Sequence, residues 1–263
     1  MSKGAKKWLI AAASLVVIGG IIFTAVMTVL GWDFKKLSTV KYQTNTYSVS
    51  QKFRNITIDT DTADITFLPS ADGECKVICF EETKVKHSVE ADGTTLTVKA
   101  FDQRKWYDYI GIYLDSPKIT VYLPKTQYGA LFVKESTGDV TVPENFSFDN
   151  IKMVLDTGNV NCSASIRGAV NIKTDTGNVK LNGCDSDKIY IETNTGDVKL
   201  KGCDADEIYI ETDTGNVTGS LLSEKVFITE TDTGKINVPK TVNGGKCEIK
   251  TDTGDINIKL RQK

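Results

Sequence analysis

Histidine and arginine are scarce in this chain: among 263 residues there is one histidine, His87, and four arginines, Arg54, Arg104, Arg167 and Arg261. A lone histidine excludes zinc sites built on two or three imidazoles. Neither HExxH nor GxSxG occurs, so the commonest metallopeptidase and hydrolase signatures are missing. Ser38-Thr-Val-Lys41 matches only a four-residue pattern and is read as coincidence. Acid is lacking from the first 32 residues, which carry Lys3, Lys6 and Lys7. Of 32 basic residues, 29 therefore follow Trp32 against 34 acidic ones, a net of −5. Scattered arginine on a mildly acidic surface speaks against nucleic acid as a partner, because phosphate binding needs clustered Lys and Arg.

Long apolar runs are also missing, with one exception. Trp8 to Leu30 holds 23 residues without a charge. About 20 apolar residues cross a bilayer as a helix, so this run is long enough. Trp8 and Trp32 stand at its edges, where indole rings favour the headgroup region. The lysines before it place the N-terminus in the cytoplasm and the remainder outside. A cleaved signal peptide is the rival reading. The run is longer than a usual signal core, no small-x-small cleavage site stands just after it, and no cysteine near residue 30 offers a lipid anchor. Gly19-Gly20 is not a GxxxG pair, so the segment reads as a simple anchor.

The dominant feature is a repeat. Thr-Gly recurs at Thr137-Gly138, Thr157-Gly158, Thr176-Gly177, Thr195-Gly196, Thr214-Gly215, Thr233-Gly234 and Thr253-Gly254, with spacings of 19 or 20. A relative without glycine occurs at Asp59-Thr-Asp-Thr-Ala-Asp-Ile65. Each copy has two short alternating runs, as in Ile189-Tyr-Ile-Glu-Thr193 and Asp197-Val-Lys-Leu200. Alternation marks half-buried strands, with Ile189, Ile191, Val198 and Leu200 inward and Tyr190, Glu192 and Lys199 outward. A unit this small cannot bury its own apolar face, but stacked units can. The fold class expected is all-β, a parallel β-solenoid of 19–20-residue coils preceded by one transmembrane helix. A β-sandwich would show varied loop lengths, and these barely vary. Two rungs depart from the pattern: Lys235 follows Gly234 in place of Asp or Asn, and Pro143 and Pro239 sit where a ladder amide is unneeded.

Residues 74–125 lack the period. Lys76-Val-Ile-Cys-Phe80, a hairpin about Ala91-Asp-Gly93, Leu96-Thr-Val98 and Ile119-Thr-Val-Tyr-Leu123 read as an irregular β-rich cap. The expected organisation is thus a tail over 1–7, a transmembrane helix over 8–30, a linker over 31–50, the cap over 51–125 and the regular solenoid over 126–260. Within the cap, Trp106, Tyr107, Tyr109 and Tyr113 lie near Asp102, Asp108 and Asp115. Such rings stack on sugars or on a partner protein; the plainer reading is that they pack the cap.

The Asp/Asn residues after each turn glycine, Asp139, Asn159, Asn178, Asp197, Asn216 and Asp255, stack at about 5 Å in a solenoid. Such a column offers oxygen to Ca²⁺ or simply satisfies the turns. The GGxGxDxUx calcium repeat is absent, and no cofactor is expected. Among the six cysteines, Cys184 and Cys203 occupy the same repeat position 19 residues apart, within disulfide range if stacked. Two small buried thiols explain the pair equally well.

Ile119-Thr-Val-Tyr-Leu-Pro-Lys125, then Leu131-Phe-Val-Lys-Glu-Ser-Thr-Gly-Asp-Val140 and the repeated Thr-Gly-(Asp/Asn)-(Val/Ile), resemble a bacterial "putative adhesin" family, a domain of unknown function. That family is also found in a membrane protein of the lia cell-envelope-stress operon. The resemblance implies an anchored extracytoplasmic β-solenoid and carries over no catalytic residue. The function expected is non-enzymatic: binding or scaffolding at the cell envelope, toward another envelope protein or a cell-wall glycan. The alternatives are a glycan-cleaving β-helix enzyme and an accessory subunit of a membrane sensor or transporter.

Overall fold

A computed structural model describes residues 2–261. Met1, Gln262 and Lys263, and the side chain of Lys3, lie outside the described part, and with them part of the basic N-terminal tail. The chain forms two compact units. One comprises the stretch up to Lys41 together with Arg104–Asp115; the other comprises Tyr42–Gln103 together with the stretch from Ser116.

In the first unit, the apolar run and the residues before it form one helix, Lys3–Val29. At about 1.5 Å per residue its 27 residues span roughly 40 Å. The hydroxyls of Ser14, Thr24 and Thr28 donate to the carbonyls of Ile10, Gly20 and Thr24 at 2.8–2.9 Å. The polar side chains of an apolar helix are thereby satisfied without water. Gly31 and Trp32 take left-handed φ of 66° and 59° and end the helix. A short 3₁₀ turn, Phe34–Leu37, follows, with the Asp33 side chain accepting the Lys35 N–H.

The second unit is a solenoid of two parallel ladders. Along the first run Asn55–Thr62, Gln127–Thr137, Ser147–Thr157, Ala169–Thr176, Asp185–Thr195, the later part of Val198–Thr214, Gly245–Thr253 and Lys225–Thr233. The second repeats that order, from Asp64–Pro69 through Val140–Val142 to Ile256–Leu260 and Ile236–Asn237. The residues assigned inward, Ile189, Ile191, Val198 and Leu200, are buried, and Lys199 is exposed.

Two features depart from a simple climb of seven successive coils. The glycine-less copy at 55–69 is a full coil lying directly against 127–142, so Thr62 opens a column of eight stacked corner threonines. The last two coils stack in reverse order: residues 245–260 sit between 204–221 and 225–237. Side-chain polarity explains the exchange. The inner coil presents Cys247, Ile249, Ile256 and Ile258, all buried. The outer one places Thr229 opposite Ile249, and its Ile236 stays 45% exposed. Burying the more apolar coil on both sides removes more apolar surface from water. Lys225, buried on the terminal coil, pairs with Asp204 at 2.5 Å and donates to Ser223 at 2.6 Å. Pro239 follows on the outermost edge, where no ladder amide is needed.

The other end is closed by Thr95–Asp102 and Lys118–Leu123, parallel to the 55–69 coil, and then by antiparallel strands. The hairpin turns at Asp92-Gly93, with the Asp92 side chain accepting the Thr94 and Thr95 N–H groups at 3.0 and 2.8 Å. Tyr42–Val49, within the stretch read as linker, is a strand antiparallel to Cys75–Glu82. Its alternation is carried by Gln43, Asn45 and Tyr47 against Thr44, Thr46 and Ser48, which a hydrophobicity pattern does not register.

Candidate functional site

Three letters of the Thr-x-Thr-Gly-(Asp/Asn) corner, the first Thr, the Gly and the Asp or Asn, have separate tasks between coils. The first threonine points inward and donates to the glycine carbonyl of the preceding coil. Thr193 reaches Gly177 at 3.2 Å, Thr212 reaches Gly196 at 3.2 Å and Thr251 reaches Gly215 at 3.0 Å. The glycine is needed for close approach: a Cβ on Gly177 would lie 2.6 Å from the Gly158 carbonyl carbon, and its equivalents meet the same obstacle. The Asp or Asn Oδ1 accepts the backbone N–H of its counterpart in the next coil. Asn159 binds Asp139 at 2.7 Å, Asn178 binds Asn159 at 2.9 Å, Asp197 binds Asn178 at 2.8 Å, Asn216 binds Asp197 at 2.7 Å and Asp255 binds Asn216 at 2.9 Å. Lys235 closes the column by donating its N–H to Asp255 at 2.8 Å. The terminal coil has no next coil to receive, so an oxygen is not required there. The column is thus a hydrogen-bonding device in which each Oδ1 accepts a backbone amide of the next coil.

Two positions break the inward threonine column. Leu155 fills one, and Glu135 the other. Glu135 is buried; its Oε1 accepts the Ala63 N–H at 3.0 Å and its Oε2 has no partner. Burial pushes its pKa up to about 8, against the opposing effect of the Ala63 amide.

In the same column Thr60, opposite Glu135, meets His87. The His87 Nε2 lies 2.9 Å from the Thr60 hydroxyl and its Nδ1 2.6 Å from Glu81 Oε2. Glu81 also accepts the His87 backbone N–H at 2.7 Å and the Asn45 amide at 2.5 Å. Cys79 completes a buried group whose ligand atoms lie within 4.8 Å of one another. A Cys-Glu-His set suits zinc by element. Here Glu81 and His87 have protein partners, and burial pushes the Cys79 thiol up to about 12. His87 is 4% exposed and Glu81 is fully buried, so a substrate has no access. The arrangement joins cap to solenoid. Hairpin alternation places Cys79, Glu81 and His87 on inward faces; Asn45 and Thr60 come from strands whose pairing is not visible in the sequence.

The aromatic residues singled out above lie in the first unit. Trp106, Tyr107 and Tyr109 form a 3₁₀ turn, Trp106–Tyr109, and are 78, 48 and 55% exposed; Tyr113 is 39% exposed. They supply no core to the cap. Trp106 meets Tyr107 edge-on at 5.8 Å, Arg104 stacks over Tyr109 at 4.5 Å, and the Tyr113 hydroxyl donates to the Asp108 carbonyl at 3.0 Å.

Cys184 and Cys203 occupy equivalent positions in neighbouring coils, the Asp204 N–H donating to the Cys184 carbonyl at 2.7 Å. Both are buried and carry free thiols in this structure. Burial pushes Cys184 up to about 12 and raises Cys203. On the cap side of the solenoid, a groove of about 510 Å³ opens between residues 49–53, 73–75 and Pro124, Thr126 and Tyr128. Its wall is aromatic: Phe53 stacks on Tyr128 at 6.1 Å.

Comparison with solved structures finds chains of low identity. A "putative adhesin" from Bacteroides fragilis is 15% identical, over 84% of this chain and 97% of that one, with a TM-score of 0.45. A "putative lipid binding protein" from Parabacteroides distasonis is 16% identical, over 86% and 98%, with a TM-score of 0.43. A "putative cell adhesion protein" from Clostridium sporogenes is 14% identical, over 85% and 100%, with a TM-score of 0.38. Curated protein sequences give no match. Residues 53–263, which take in every coil of the solenoid, match the family described as Toastrack DUF4097, and the chain belongs to that family.

Proposed function

We propose that this is a non-enzymatic binding protein of the cell envelope, held at the membrane by its N-terminal helix and presenting a rigid β-solenoid outside the cytoplasm. The observation that carries this reading is the use of the repeated polar residues. The corner Thr, Asp and Asn side chains are engaged coil to coil, and the one histidine is sealed in the cap. What remains on the outside is a regular surface suited to recognition. The groove at Phe53 has Glu74 as its one acid, short of the carboxylate pair that glycoside hydrolysis uses. Its aromatic wall and polar rim, Ser50, Gln51 and Lys52, suit a glycan or an extended peptide of another envelope protein.

The helix supports the anchor. Gly4–Val29 is long and apolar enough to cross a bilayer, and Lys6 and Lys7 stand at its N-terminal end. Relatives described as adhesins suit a role in contact or scaffolding at the envelope, including an envelope under stress.

The test is topological. Lys199 is exposed and the native cysteines are buried, so Lys199→Cys creates a reporter for a membrane-impermeant maleimide. Labelling in intact cells, with the protein retained in the membrane after an alkaline wash, is the expected result. Labelling only after lysis, or release by the wash, would overturn the proposal.

A further inference from the structure

The segment Arg104–Asp115 leaves the second unit and joins the juxtamembrane stretch in the first. The join is specific. The Thr39 N–H donates to the Ile112 carbonyl at 3.2 Å, the Ile112 N–H donates to the Thr39 hydroxyl at 3.0 Å, and the Ser38 hydroxyl donates to the Ile112 carbonyl at 3.2 Å. Gly111 permits the approach, since a Cβ there would lie 2.9 Å from the Thr39 hydroxyl. Two irregular stretches more than seventy residues apart in sequence are thus clipped together just beyond the helix. Thr39 is nine residue steps from Leu30, a reach of at most about 30 Å and shortened by the 3₁₀ turn.

The side chains that this clip displays are apolar and exposed. Trp106 is 78% exposed, Tyr107 48%, Tyr109 55% and Ile110 77%; Trp32 and Phe34, on the helix side of the clip, are 55 and 54% exposed. Exposed aromatic and aliphatic groups this dense call for a covering. The charges beside them have a definite sign: Lys35, Lys36, Lys41, Arg104 and Lys105 outnumber Asp33, Asp108 and Asp115. Arg104 and Lys105 lie over the rings of Tyr109 and Tyr107 at 4.5 and 5.9 Å. Aromatic rings accompanied by long basic side chains are the composition of a membrane–water interface, where rings sit at headgroup level and the cations reach phosphate.

We infer that Arg104–Asp115, clipped to Ser38–Thr39, is a second membrane contact: its rings lie in the headgroup region of the bilayer that the helix crosses, with Arg104 and Lys105 toward lipid phosphate. The occupant is a phospholipid surface, because the segment is fastened to the one stretch of chain that emerges from an apolar helix. The inference rests on the anchor proposed above.

The test uses the three tryptophans one at a time in the full chain, reconstituted alone into vesicles of phosphatidylcholine and phosphatidylglycerol. Trp8, Trp32 and Trp106 are all more than half exposed, so replacement by phenylalanine leaves the fold intact. In the W8F/W32F variant, lipids brominated near the carbonyl end of the acyl chain should quench most of the Trp106 emission, and lipids brominated deeper should quench it less. In the W32F/W106F variant, Trp8 reports insertion of the helix. Quenching of Trp8 with Trp106 unquenched would overturn the inference, leave the anchor standing and assign the rings to a protein partner. Loss of quenching at both would overturn the anchor and the inference together.

Discussion

The corner glycine gives the sharpest test of the solenoid, because two glycines separate two roles that the residue can play. Gly177 does not occupy the left-handed region, yet a Cβ there would lie 2.6 Å from the Gly158 carbonyl carbon and clash harder with its oxygen. Gly183 takes φ of 62° and has open space where a Cβ would go. Gly177→Ala therefore suffers only from crowding, and Gly183→Ala only from backbone conformation. Forcing one methyl between ladders at their natural spacing costs about 3 kcal/mol, the upper part of the usual overpacking range. A left-handed alanine costs about 1 kcal/mol. For a chain of this size these values correspond to losses of about 6–12 °C and about 2–4 °C in melting temperature. Circular dichroism melts of the full chain in mild detergent measure both. Equal losses, or a greater loss for Gly183→Ala, would refute the claim that the corner glycine is there to let coils approach.

Other consequences follow from the same columns. Asn178→Ala leaves the Asp197 amide without its acceptor and should cost about 1 kcal/mol, while Lys235→Ala, at the end of the column, should cost nothing measurable; urea midpoints compare the two. Glu135 has a folded pKa near 8 against an ordinary 4.5. The folded state therefore holds a proton that the unfolded state gives up, and stability should fall as pH rises between about 4.5 and 8 and level off above. Glu135→Gln should flatten that slope, measured as the melting temperature across this range. The six buried thiols, several with pKa values pushed up to about 12, should resist a disulfide-exchange reagent at neutral pH and react together on unfolding. Four reactive thiols in the unfolded chain would instead show that Cys184 and Cys203 had bridged.

Much of this molecule is legible in its sequence, and the reason is local. The two-strand coil, its inward Ile and Val positions and its corner all follow from alternation and turn chemistry within a 19-residue unit. What the sequence hides is non-local. Thr229 in an isoleucine column, Lys235 in an oxygen column and Pro239 together mark the coil 225–237 as terminal, yet their meaning appears only once the coils are stacked. Ala63 reads as a defect in the repeat. It is the corner at which the glycine column stops, because the next ladder outward, Thr95–Asp102 with Lys118–Leu123, has no Thr-Gly corner to crowd it. The clip between Thr39 and Ile112 joins residues that share no period, and the polar alternation of residues 42–49 gives no hydrophobic signal.

The exchanged order of the last two coils also constrains how the molecule is made. From 147 to 221 each coil docks on one synthesised about 19 residues earlier, and the 127–142 coil docks across the cap on 55–69. The 245–260 coil instead reaches back further, with Asp255 bonded to Asn216 across 39 residues and Thr251 to Gly215 across 36. A ribosome extending the chain delivers residues 225–237 before the strands they pair with exist. Assembly therefore cannot finish as a zipper running toward the C-terminus. The native ladder of residues 225–237 forms only once the following segment lies beneath them, as a keystone set between two earlier courses.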